Sequence, residues 1–120
     1  MPQSQSFGEL LRERRLAKAS TDSTFSLRQL ADRVGIEPSY LSKIERGEQA
    51  PPGEQNIRRL AQELGENPDV FLALAGKVSG DLLEIIRQRP AAVAELLRSV
   101  QKLPAKRVNE ISRQIRDGDW

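Results

Sequence analysis

Between residues 26 and 47 the apolar positions and the chain-breaking residues leave room for only one local solution: two short helices joined by a tight turn. Leu27, Leu30, Ala31 and Val34 recur at three and four, the spacing of one helix face. Ser26 stands before them as an N-cap, with Gln29 three residues on, the spacing of a capping box. Gly35 closes this helix. Pro38 opens the next one at a first-turn position, where a missing N–H costs nothing, and the helix runs to about Arg46 before Gly47 ends it. Leu41 and Ile44 point inward, leaving Ser39, Tyr40, Ser42, Lys43 and Arg46 outward.

The rest of the chain follows the same period, and no run alternates as a strand does. The fold class is therefore all-α. A first helix is expected from about Ser6 to Lys18, with Phe7, Leu10 and Leu11 inward. A fourth follows Pro51-Pro52-Gly53, with Ile57, Leu60, Ala61 and Leu64 on one face and Gly65 at its end; a fifth begins at Asn67-Pro68-Asp69 and buries Val70, Phe71 and Leu74. This completes a unit over residues 1–76. Residues 77–120 hold three further helices, Asp81 to Arg89, Pro90 to Lys102 and Pro104 to about Arg116.

Apolar residues in that second segment are Leu82, Leu83, Ile85 and Ile86, then Val93, Leu96, Leu97 and Val100, then Val108, Ile111 and Ile115. So short a stretch, without disulfide or metal, is near the lower size for a self-sufficient core. A partner surface is expected, and a second copy of the chain is the simplest one. Leu82, Leu83, Ile86, Val93, Leu96, Leu97, Val100, Val108, Ile111 and Ile115 are the candidate dimerisation residues; Trp120 either caps that interface or hangs free.

Composition narrows the function. The 120 residues contain no Cys and no His, which removes thiolate and imidazole chemistry and the usual zinc ligand sets. Only carboxylate or Lys chemistry remains, and the acids are scattered rather than paired, so no catalytic residue, metal ligand or cofactor is expected and an enzyme is disfavoured. The polar start lacks a basic patch and apolar stretch, and no apolar run is long enough to span a bilayer, so a cytoplasmic protein without membrane contact is expected.

A formal net charge of +2 hides an asymmetry. Residues 12–46 carry Arg12, Arg14, Arg15, Lys18, Arg28, Arg33, Lys43 and Arg46 against Glu13, Asp22, Asp32, Glu37 and Glu45, a balance of +3. Residues 47–76 carry Arg58 and Arg59 against Glu48, Glu54, Glu63, Glu66 and Asp69, a balance of −3. The basic half coincides with the pair of helices whose geometry places one helix in a DNA major groove. Arg58 and Arg59, amid acids, read as a solvated face.

The segment from Ser26 to Gly47 resembles the xenobiotic-response-element (XRE), or Cro/C1-type, helix-turn-helix family of bacterial and phage repressors. The resemblance rests on the Leu30-Ala31 pair, the turn Gly35, the Ile44-Glu45-Arg46-Gly47 ending, Leu60-Ala61 and the closing Leu64-Gly65, and it extends over residues 7–75. It implies a five-helix, lambda-repressor-like DNA-binding domain and a homodimeric repressor or regulator of transcription reading a palindromic double-stranded operator. Ser39, Tyr40, Ser42 and Lys43 would face base edges or adjacent phosphates, with Arg46 near the backbone and Pro38 counted among the DNA-binding residues. The family's core ion pair would fall on Arg15 and Glu45.

Two positions depart from the family pattern. Leu27 stands where many members carry a DNA-contacting Gln, which moves the helix-two contact to Arg28 or Gln29; the loop after Gly47 holds Glu48 and two prolines where many members are basic. An alternative of a different class is an antitoxin whose C-terminal helices cover a toxin while the N-terminal part autoregulates its operon. A related layout is a repressor inactivated by a regulatory protease.

Overall fold

The computed structural model describes residues 6–118. Trp120 lies outside the described residues. Among those described there are eight helices and no strand: α1 Phe7–Ala19, α2 Leu27–Val34, α3 Pro38–Glu45, α4 Glu54–Leu64, α5 Pro68–Leu74, α6 Gly80–Gln88, α7 Pro90–Val100 and α8 Ala105–Asp117.

Local chemistry sets the boundaries. Ser6 caps α1 by accepting from the Glu9 N–H at 3.2 Å. Ser26 and Gln29 form the reciprocal capping box of α2: the Gln29 N–H donates to Ser26 Oγ at 3.1 Å, and the Ser26 N–H to Gln29 Oε1 at 3.2 Å. Gly35 ends α2 in the left-handed region, φ 86°, with its N–H on the Ala31 carbonyl at 2.9 Å. A side chain there would be strained, which is why glycine occupies the turn. Pro38 sits in the first turn of α3.

Two compact units divide between Ser79 and Gly80, later than the boundary expected after Gly76. The Lys77 N–H donates to the Leu72 carbonyl at 2.8 Å and Ser79 is buried, so residues 77–79 go with the first unit.

The first unit packs α1 on α3 and α4, α2 on α3 and α4, and α4 on α5. Its core holds Phe7, Leu10, Leu11, Phe25, Leu30, Ala31, Val34, Leu41, Ile44, Ile57, Leu60, Ala61, Leu64, Phe71 and Leu72. Phe7 meets Phe71 edge to face, with ring centroids 5.9 Å apart. Small residues bring backbones close where helices cross. Ala31 is fully buried, and Gly8 lies against the Ile44 and Glu45 carbonyls, where a Cβ would clash with the Ile44 oxygen.

Two expectations about this core need correction. In α5, Val70 (51% exposed) and Leu74 (38%) lie at the surface, and Leu72 is buried beside Phe71 in their place. A seven-residue helix with four large apolar residues has no unique apolar face, so packing against α4 and against Phe7 of α1 selects the buried pair. Phe25, in the polar connection before α2, is also a core residue, under the guanidinium of Arg33 at 4.4 Å and the Lys18 ammonium at 5.6 Å from its centroid.

In the second unit α6 packs on α7, yet no residue of α6, α7 or α8 is buried. Ile86, Val93, Val100, Val108 and Ile111 are half-buried within the unit, while Leu82, Leu83, Leu96, Leu97 and Ile115 are exposed. An open groove of about 490 Å³ runs between α7 and α8, lined by Leu96, Leu97, Val100, Val108, Ile111 and Ile115.

Candidate nucleic-acid interface

α3 is held by its inner side. Leu41 and Ile44 are buried, and Glu45 is buried with them as the partner of Arg15 from α1: Arg15 Nε to Glu45 Oε2 is 2.7 Å and Nη2 to Oε1 is 2.9 Å. Arg15 Nη1 also donates to the Phe25 carbonyl at 3.5 Å. A two-point guanidinium–carboxylate contact fixes orientation as well as distance, so it sets how α3 lies across α1. Both side chains are buried and engaged inside the first unit.

The opposite side of α3 leaves Ser39 and Lys43 exposed, with Pro38 and Ser42 half-exposed. Tyr40 is not simply outward. It is half-buried and packs against the core. Arg46, the C-cap residue of α3, is exposed and pairs with Glu48 at 3.1 Å. On α2, Arg28 is exposed, whereas the Gln29 carboxamide oxygen is occupied by the capping box. Gln29 keeps only its NH2 group for a ligand.

Folding offsets part of the charge segregation along the sequence. Arg14 pairs with Glu66 at 3.4 Å, Arg33 with Glu63 at 2.8 Å, and Arg58 with Glu54 at 3.3 Å. Arg33 also donates to the Thr24 carbonyl at 2.5 Å, and the exposed Arg59 to the Val34 carbonyl at 3.5 Å. Arg14, Arg33 and Arg46 of the basic stretch are thus matched against acids of the acidic one through space, whereas the Arg58–Glu54 pair lies within the acidic stretch. Arg12, Arg28 and Lys43 carry no ion pair among the described residues; of these, Lys43 stands on α3 and Arg12 lines a cleft with Ser42, Glu45 and Arg46. Sequence reasoning did not assign Arg12 a role. Its signal was its position three residues before Arg15, on the same face of α1.

A two-helix unit with a glycine turn, whose second helix is anchored by Leu41, Ile44 and Glu45 and shows a polar outer face, is the geometry of a major-groove reader. The family described as a helix-turn-helix domain matches residues 6–74, more than half of the chain. The chain belongs to this family. The matched span covers α1 to α5, consistent with a regulator of the Cro/C1 type. No curated protein and no solved structure matches the chain. Membership in a helix-turn-helix domain family makes this a DNA-binding protein of the transcription-regulator class. Among the described residues no helix is long and apolar enough to cross a membrane, and no group of acidic residues is placed to hold a metal.

Proposed function

We propose that this helix-turn-helix protein is a sequence-specific, homodimeric repressor that reads a palindromic operator with α3 in the major groove. The observation that carries the reading is the outer face of α3, where Ser39 and Lys43 are free of packing duties while Leu41, Ile44 and Glu45 lock the helix from behind. Lys43 and Ser39 contact base edges, Tyr40 and Ser42 take a thymine methyl or a neighbouring phosphate, and Pro38 fixes the entry of the helix. Arg28, Gln29 and Arg46 contact the backbone on either side. The protein binds rather than catalyses, without cofactor, in the cytoplasm of a bacterial cell.

The C-terminal unit holds two copies together. Support comes from three helices that bury none of their residues and leave Leu82, Leu83, Leu96, Leu97 and Ile115 exposed, a surface that a second copy covers isologously. The open groove between α7 and α8 also suits a toxin helix, the antitoxin alternative.

Selection of binding sites from random DNA tests the DNA reading. Enrichment of inverted half-sites about one helical turn apart, or a multiple of it, is the expected outcome; no enrichment overturns it. Sedimentation of the full chain tests the dimer. Dissociation on Leu97→Lys is expected, and a wild-type chain that stays monomeric at micromolar concentration favours the toxin-binding alternative.

A further inference from the structure

We infer that Arg12 of α1 completes a small anion cleft that grips a backbone phosphate of the bound DNA, an inference that rests on the DNA-binding reading above. The cleft, about 180 Å³, is lined by Arg12, Arg15, Leu27, Ser42, Glu45 and Arg46 and so joins α1, the start of α2 and the end of α3. Its floor is the Arg15–Glu45 pair, whose charges cancel and whose hydrogen bonds go to each other and, from Arg15, to the Phe25 carbonyl. What remains available to a ligand is two guanidinium groups, Arg12 and Arg46, and the Ser42 hydroxyl. Two cations and a hydroxyl around a depression large enough for a phosphodiester match a tetrahedral oxyanion.

The cleft lies at the edge of the DNA-reading surface. Ser42 lies beside Lys43 and one turn after Ser39 on α3, so an anion held there runs alongside the helix that reads bases. Arg46 is exposed and its bond to Glu48 is a solvent-screened surface pair, which a phosphate can displace. Arg12 is exposed and carries no ion pair among the described residues. At the first turn of α2, Leu27 offers no side-chain donor. The cation at that end of the cleft therefore comes from α1, through Arg12, rather than from α2.

A phosphate contact strengthens binding to every sequence alike, and its loss lowers the salt dependence by a countable amount. Full-length wild type, Arg12→Ala and Arg12→Lys are to be titrated by fluorescence anisotropy against a selected operator duplex and a random duplex of equal length, between about 50 and 200 mM salt. Arg12→Ala is expected to weaken binding to both duplexes by the same factor. It should also reduce the slope of log affinity against log salt by about 0.9 per protomer, with the melting temperature unchanged because Arg12 is exposed; Arg12→Lys keeps the wild-type slope. An unchanged slope in Arg12→Ala, a loss confined to the operator, or a loss of slope in Arg12→Lys overturns the assignment while leaving the DNA reading intact. Wild-type protein that binds neither duplex overturns the DNA reading itself.

Discussion

Arg15 and Glu45 stand thirty positions apart in sequence and share two parallel hydrogen bonds, of 2.7 and 2.9 Å, inside the helix-turn-helix unit. The pair ties α1 to the last turn of α3 on the side opposite Ser39 and Lys43, so the helix proposed to read DNA is positioned by a buried charge contact rather than by apolar packing alone. Removing one partner leaves the other charged and buried. Arg15→Ala or Glu45→Ala should destabilise the first unit by about 3–5 kcal/mol, while the double replacement Arg15→Met with Glu45→Leu should recover most of that loss. Urea unfolding followed by circular dichroism checks both; equal losses in the single and double variants would contradict the coupling.

Gly8 bears on the same crossing from the backbone side. A Cβ there meets the Ile44 carbonyl oxygen and approaches that of Glu45 to 3.1 Å, and neither backbone group can move without shifting α3. Gly8→Ala is expected to cost about 1–3 kcal/mol, as overpacking does. A thermal melt at wild-type temperature would show that α1 and α3 slide apart freely.

Lys43 and Arg28 should differ in kind. Lys43→Ala is expected to lose about 1–3 kcal/mol on the selected operator and much less on random DNA, as a base contact does. Arg28→Ala should weaken both to a similar extent, as a phosphate contact does. Competition titrations with the two duplexes separate these outcomes, and a uniform loss for Lys43→Ala would move it from base reading to backbone contact.

Asp22 makes the connection between α1 and α2 sensitive to acid. The Thr24 hydroxyl donates to its Oδ1 at 2.6 Å and the Thr24 N–H at 2.9 Å, and these bonds, helped by Arg33 and Lys18, hold the carboxyl below the ordinary aspartate range. A depressed folded-state value means the contribution to stability is fully present above the unfolded-state value and is lost as pH falls through the folded-state one. Wild type should therefore lose stability relative to Asp22→Asn on acidification below the ordinary aspartate range, with the difference between them constant at neutral pH. Parallel acid titrations of the two proteins that never converge would contradict this.

The elements that depend on near neighbours were legible in the sequence. Ser26, Gln29, Gly35 and Pro38 act on backbone groups within a turn of themselves, so the two short helices and their connection follow from the chain alone. The inner faces of α2, α3 and α4 were legible too, because their apolar residues are sparse enough for the helical period to select one face. α5 was not, since Val70, Phe71, Leu72 and Leu74 crowd a seven-residue helix and only contact with α4 and with Phe7 of α1 decides which of them is covered. Phe25 had no periodic signal at all.

Charge divides in the same way. The sequence determined how many cations and anions there are and that the cations concentrate in residues 12–46. Only the tertiary structure decided which of them remain available, because an ion pair forms through space. Glu45, Glu63 and Glu66 take up Arg15, Arg33 and Arg14 from distant positions, while Arg12, Arg28 and Lys43 carry no ion pair among the described residues.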